Sequence, residues 1–470
     1  MLMLKIAFRN IFRNARRSVA TLSTIAIGAT AILVFGAYVT YIALGVQTGA
    51  VQSNGHLQVF KNGYFTYGSG APAAWGIHDY QAVLSTLQSD PVLKPLVAVM
   101  TPIQALAGIA GNFIKDTSKP FLGRGFVPSD RDRMKQWNEY GTGSQGLKRS
   151  GMHDDDASIG IAGEGLMRIL GLCDELHLEN CPPALPQNAS ASAAADAASD
   201  PSLNVTELAQ RDAATRSAST ADAVPSIELL SATAAGAPNV VSLSVARVER
   251  QTVKELDDNY VGLNLSLAQQ LVYGRGEHQA TGIVIQLHRS EDLAAVRAHL
   301  SSVFKRLGLD LEMRDFTELT PQYNQIINLF GSIFTFITVV MAIVVMFTVS
   351  NAMGMSVIER TDEIGTTRAM GVRRSGIRLQ FLLEGSLLGV VGSTAGVVVA
   401  HLVAYLINHA GLTWTPPGSP GPIPLRVYME GAWLLSAGTW LGLTLVAAVA
   451  AFIPAGRGAR MVVVDALRHV

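Results

Sequence analysis

The chain has 470 residues, 49% hydrophobic and only 15% charged, where an ordinary soluble domain carries roughly 25% charged residues. Its formal net charge is zero, which argues against a polyanionic partner such as nucleic acid, and two cysteines are too few for a disulfide-scaffolded fold. The missing charge is confined to a few long runs, which points to an integral membrane protein rather than a soluble enzyme.

In chain order, residues 1–18 open with MLMLKIAFRNIFRNARR. Leu4, Phe8, Ile11, Phe12 and Ala15 recur at helical spacing, beside a stripe of Lys5, Arg9, Arg13, Arg16 and Arg17. This pattern predicts a basic amphipathic helix at a membrane surface. The apolar run that follows, over 19–45, is far longer than the roughly 7–15 residues of a signal-peptide core. It predicts a first transmembrane helix whose start, preceded by cations, is cytoplasmic.

Residues 46–322 have the composition of a soluble protein, and after a single span they belong outside the cytosol. Strands are expected at His56–Phe60, Leu96–Ile109, Pro120–Phe126, Thr281–His288 and Leu311–Phe316, with helices over 79–89 and 291–308. These β-α-β patterns predict α+β ends at about 46–130 and 260–322, with an inserted, strand-rich subdomain at about 130–260. Within it, 183–225 is an Ala/Ser/Asp/Pro-rich low-complexity loop, with too little apolar surface to offset its ordering entropy. Cys173 and Cys181 lie just before that loop, and an oxidising compartment would favour a disulfide between them.

Three further transmembrane helices are expected at 325–354, 379–408 and 431–455. They are joined by a polar segment at 355–378, a proline-rich loop at 409–430 and a tail at 456–470. Four spans return both termini to the same side. The segment at 355–378 stands apart. No Asp, Glu, Lys or Arg occurs over 319–358 or 385–425, yet Glu359, Arg360, Asp362, Glu363, Arg368, Arg373, Arg374 and Arg378 crowd between them. Its cations match those of the N-terminus and of the tail (Arg457, Arg460, Arg468), so all three belong to the cytoplasmic side. Too short to be a domain, it suits a partner protein that pushes on it. Arg360 and Glu363 at i,i+3 favour a short helix, and Gly371 is placed to end it with a left-handed cap.

Glu384 is the one carboxylate within the third span; an ionisable group there marks a functional site by default, or else it sits about one helical turn inside the interface and reaches headgroups or Arg374 and Arg378. Gly385, Gly389, Gly392 and Gly396 follow at three- or four-residue spacing, a face for close helix packing against another span of this chain or of a second copy. Catalytic signals are absent from the pattern. There is no GxxxxGK[ST] phosphate loop and no nucleophile elbow. The glycine-rich Gly63–Gly70 reads as a flexible loop, His153–Asp156 as a solvated acidic turn, and no ligand set at metal spacing occurs.

The stretch Ser356–Gly396 resembles the signature of FtsX-like, MacB-type (type VII) ABC transporter permeases, the family that includes the lipoprotein-releasing LolC and LolE. The family's ER-x-x-E-[IF]-G-x-x-[RK]-A-[ILM]-G is matched by Glu359, Arg360, Glu363, Ile364, Gly365, Arg368, Ala369, Met370 and Gly371. Gly55–Phe65, Ile161–Leu172 and Pro454–Arg468 are similar to further family elements, with Val464 where a proline is usual. The resemblance implies an α-helical membrane protein with four transmembrane helices and a large α+β extracytoplasmic domain between helices 1 and 2. It implies a non-catalytic permease subunit in a bacterial inner membrane, both termini cytoplasmic and the large domain periplasmic. The nine matched residues would couple it to two copies of a separate ABC ATPase, which uses ATP and magnesium while this chain binds no cofactor. A second permease copy or paralogue would complete the membrane part, with a periplasmic adaptor or substrate-carrier protein as a further partner. The expected work is extrusion or extraction of a hydrophobic or amphipathic substrate such as a lipoprotein, lipid or drug. The alternative is a non-transporting transmitter that activates a periplasmic partner such as a cell-wall hydrolase.

Overall fold

The computed structural model describes residues 9, 15–142, 149–178, 181, 224–251, 253–274, 278–415, 423–429 and 431–461. The surface helix expected over 1–18, the low-complexity loop over 183–225 and the tail beyond Met461 fall almost wholly outside them. Two compact units result, one of long helices and one of strands between residues 48 and 320.

The first long helix, α1, is Ala15–Asn54. The sheet-rich unit then begins with β1 (Leu57–Lys61), α2 (Tyr80–Gln88), β2 (Val97–Asn112) and β3 (Thr117–Phe126). It continues through β4 (Ile159–Gly163), β5 (Ser226–Ala232), β6 (Pro238–Glu249), β7 (Tyr260–Asn264) and α3 (Leu265–Tyr273). It ends with β8 (Gly282–Leu287), α4 (Leu293–Leu307) and β9 (Leu311–Asp315).

One half is a split β-α-β-β-α-β arrangement in which β2, β8, β1 and β9 neighbour one another in that order, all antiparallel. Alternation along these strands, and the 3.6-residue stripe of α4, bury Leu57, Val59, Ile283, Ile285, Val296, Leu300 and Phe304 in one core. The second half closes on itself. β2 pairs with β3, β3 with β7, β7 with β4, β4 with β6, β6 with β5, and β5 returns to β2. Of these, β3–β7 and β4–β6 are parallel. Phe121, Leu166, Ile227, Leu229, Leu243 and Leu263 fill its interior.

The expected boundary near residue 130 therefore does not divide the sheet. β2 serves both halves, with β8 alongside it up to Ile103 and β3 alongside it from there. Closure removes edges that separate sheets would have left open. Gly63–Gly70 also departs from expectation: Tyr64–Gly68 is a π-helical turn in which Tyr64 stacks on Phe60 at 4.9 Å. Cys173 and Cys181 are joined, Sγ to Sγ at 2.10 Å.

His56, directly after α1, is fully buried. Its Nδ1 accepts the Leu287 N–H at 3.0 Å, Nε2 lies 3.1 Å from Ser290 Oγ, and its ring meets the Trp137 ring edge-on at 5.0 Å. Burial pushes its pKa down to about 4 from the usual 6.5. The folded form thus keeps a neutral imidazole where the unfolded chain takes up a proton. This contribution to stability is complete above pH 6.5 and is lost as pH falls towards 4, by about 3 kcal/mol in all. Acid unfolding followed by tryptophan fluorescence should show this limb in the native chain, and His56→Gln should flatten it. An unchanged limb in the variant would exclude His56 as its source.

The helical unit contains the remaining long helices: α5 (Pro321–Glu359), the short α6 (Thr361–Ala369), α7 (Arg374–His409) and α8 (Trp433–Arg460). Among the described residues α1, α5, α7 and α8 are four helices long and apolar enough to cross a membrane; α1, α5 and α7 extend past their expected apolar runs at both ends, and α8 at its C-terminal end. At 1.5 Å per residue, even the 28 residues of α8 exceed a hydrocarbon core of about 30 Å. Ile25, Ala29, Val345, Val349, Phe381, Leu388, Leu443 and Ala447 share their core.

Candidate functional site

The polar segment after α5 is a sharp double turn. α5 stops at Glu359, and Arg360 leaves the helix at φ −113°, ψ 21° before α6 begins. Asp362 and Glu363 occupy the first turn of α6 and Arg368 the last, both favourable to the helix dipole. Gly371 then takes φ +92°, a region closed to most side chains. Its N–H donates to Arg368 O and the Val372 N–H to Thr367 O, so the last carbonyls of α6 are capped. Arg373 is extended and α7 follows.

α6 has two unlike faces. Ile364 and Gly365 are buried, and a methyl added at Gly458 of α8 would lie 3.0 Å from Val357 and 3.7 Å from Ile364. Arg368 donates to Met461 O at the end of α8. Asp362, Glu363, Thr366, Ala369 and Met370 are exposed, Met370 by 79%. The nine matched residues therefore do not form one surface. Arg360, Ile364, Gly365 and Arg368 hold the turn to the helices, while Glu363, Ala369, Met370 and Gly371 face outward.

Two ion pairs flank the turn in opposite directions. Arg360 Nη1 donates to Glu384 Oε1 and Oε2 at 3.0 and 3.1 Å, and both side chains are 4% exposed. This corrects the expectation that Glu384 reaches Arg374, Arg378 or headgroups. Six residues beyond Arg378, Glu384 lies on a different face of α7 and is buried against Arg360, and the Arg378 guanidinium lies instead over the Phe452 ring at 5.6 Å. The preceding residue, Glu359, faces α1. Arg17 meets it with two parallel hydrogen bonds of 2.9 and 2.5 Å, and these side chains are 33% and 37% exposed.

The glycine face of α7 packs within this chain and divides between two neighbours. A Cβ at Gly385 would meet Ala451 at 2.4 Å, and one at Gly389 would meet Ala447 at 2.9 Å, both on α8. At Gly392 it would meet Ile25 at 2.7 Å, and at Gly396 Ala29 at 2.4 Å and the Ala26 carbonyl at 2.6 Å, all on α1. Thr30 Oγ1 also donates to Gly396 O. Because the obstacle at Gly396 includes backbone, Gly396→Val has to push α1 away rather than turn a side chain. We expect a loss of about 1–3 kcal/mol in detergent unfolding, with Gly438→Val, at a position with nothing within 4 Å of an added Cβ, near neutral. Equal effects would remove the close-packing role.

Arg17 and Asp362 are the site residues that sequence reasoning missed. Arg17 counts there only as one more membrane-flanking cation, and no local pattern links it to a residue 342 positions away. Asp362 falls on a position where the signature leaves the residue open.

Residues 335–463 match the FtsX-like permease C-terminal family. An uncharacterized ABC transporter permease of Methanocaldococcus jannaschii is 25% identical over 229 residues, 48% of this chain and 54% of the relative. The macrolide export ATP-binding/permease protein MacB of Escherichia coli is 26% identical over 188 residues, 40% of this chain and 27% of the relative. Its namesake in Shewanella sp. (strain W3-18-1) is 30% identical over 212 residues, 44% and 30% of the two chains. The chain thus spans about half or less of the length of these relatives.

Proposed function

From a chain that belongs among the FtsX/MacB-type ABC transporter permeases, we propose the transmembrane subunit of a transporter driven by an ABC ATPase on a separate chain. The ATPase docks on the outward face of α6, and closure of two ATPase copies moves the sheet-rich unit. The cargo is a hydrophobic or amphipathic molecule, extruded or extracted at the outer face of a bacterial inner membrane. A second permease copy or paralogue completes the membrane part, and a periplasmic adaptor or carrier receives the cargo.

The single observation that carries this reading is the division of α6. An inner face held by Ile364, Gly365 and Arg368 gives it a rigid seat, so a load on Glu363 and Met370 is passed to α5, α7 and α8 instead of bending a loop. The cations that crowd the segment between α5 and α7 support a cytoplasmic position for α6. The Cys173–Cys181 bond supports an oxidising compartment for the sheet-rich unit.

Co-expression of the chain with a candidate ABC ATPase subunit from the same genome, followed by purification and ATPase assay in nanodiscs, tests the proposal. A stable complex whose ATPase rate depends on this subunit is expected. No complex, and a rate indifferent to it, would sink the reading.

A further inference from the structure

Consecutive residues Glu359 and Arg360 tie the end of α5 to two different helices, by bonds of different character. The Arg360–Glu384 pair is sealed from solvent, so neither charge has water to turn to if the pair parts. The Arg17–Glu359 pair is a third exposed on each side, and water and salt compete for both ends of it. The helices they join differ as well. α7 and α8 approach closely along their length through Gly385 and Gly389. Within the helical unit α1 touches its neighbours over Ile25 to Tyr38, with Ile25 and Ala29 in the notches of Gly392 and Gly396, Gly36 against Phe334 and Leu435, and Tyr38 edge-on to Phe330; further along, Thr48 and Val51 are again buried and Gln52 donates to Trp137 O. Before Thr21, its first buried residue, Ala15, Arg16, Val19 and Ala20 are exposed, so the N-terminal end of α1 lies outside the packed core.

We infer that Arg17–Glu359 is a releasable latch: it holds the N-terminal end of α1 against α5, and α1 pivots on its glycine-notched middle when the pair opens. α5, α7 and α8, bound through Arg360–Glu384 and the α7–α8 contact, move as one body. Arg17 is then a positioning residue and Glu359 its partner, not an ATPase contact. The role of the latch in transport rests on the coupling reading given above, whereas its existence does not.

Spin labels at Val19→Cys and Met355→Cys, both exposed positions on α1 and α5, report the latch in nanodiscs, since the native cysteines are bonded to each other. Native side chains at 17 and 359 should give one dominant distance. Glu359→Gln should raise a longer-distance population by roughly two- to fivefold, the range of an exposed ion pair, and 0.5 M salt should mimic it. The charge swap Arg17→Glu with Glu359→Arg should restore the dominant distance. A distribution unmoved by Glu359→Gln, or a swap as broad as the single variant, would overturn the latch. In the ATPase complex, a non-hydrolysable ATP analogue should lengthen the distance. An Arg17→Cys/Glu359→Cys crosslink should keep ATPase binding but abolish transport. If the ATPase never binds, the coupling reading fails, and the label distances alone decide the latch.

Discussion

Glu384→Ala should destabilise the helical unit by about 3–5 kcal/mol. The cost is that of taking from the Arg360 guanidinium, 4% exposed, the carboxylate to which it donates. Arg360→Ala should cost a similar amount for the mirrored reason. Replacing both at once, by Arg360→Met with Glu384→Leu, removes two desolvation penalties together with the attraction between them. The double variant should therefore be far closer to the native chain than either single one. Thermal or denaturant unfolding in detergent, run as a double-mutant cycle, measures the difference. Additive losses would mean that the two side chains do not depend on each other.

Glu363→Lys and Met370→Glu should each lower subunit-dependent ATPase activity by about tenfold or more, the scale of a hot-spot residue in an interface. Both residues are exposed while Ile364 and Gly365 are buried, so unfolding of the helical unit should change far less than coupling does. That separation is what distinguishes a docking face from a structural one. Arg368, which donates to Met461 O on the inner side, supplies the contrast: Arg368→Ala should loosen the seat and lower stability as well as coupling. Normal stimulation in both outward-facing variants would remove α6 as the ATPase contact.

The sequence by itself determined what depends on neighbours within a few residues. Charge-free runs of bilayer length mark α1, α5, α7 and α8, since a span is recognised by its own composition. Short apolar runs mark β1 and β8, which are buried on both faces, and a period of 3.6 marks α4, which buries one. Gly371 marks the end of α6, because its φ of +92° is a local demand on the backbone.

What only the tertiary structure decided is how distant segments share one partner. Pro120–Phe126 reads as a strand, but its parallel pairing with β7, which helps close the barrel, joins segments far apart in sequence. The stripe of glycines on α7 announces close packing, yet the assignment of Gly385 and Gly389 to α8, and of Gly392 and Gly396 to α1, follows from how the helices turn about one another. The charged segment makes the point most sharply. Eight ionisable side chains between Glu359 and Arg378 look equivalent as a string. In the fold Arg360 is sealed against Glu384, Glu359 answers Arg17 from the other end of the chain, and Glu363 faces outward. Burial sets the strength of each charge interaction, and burial is a property of the assembled helices, not of the segment.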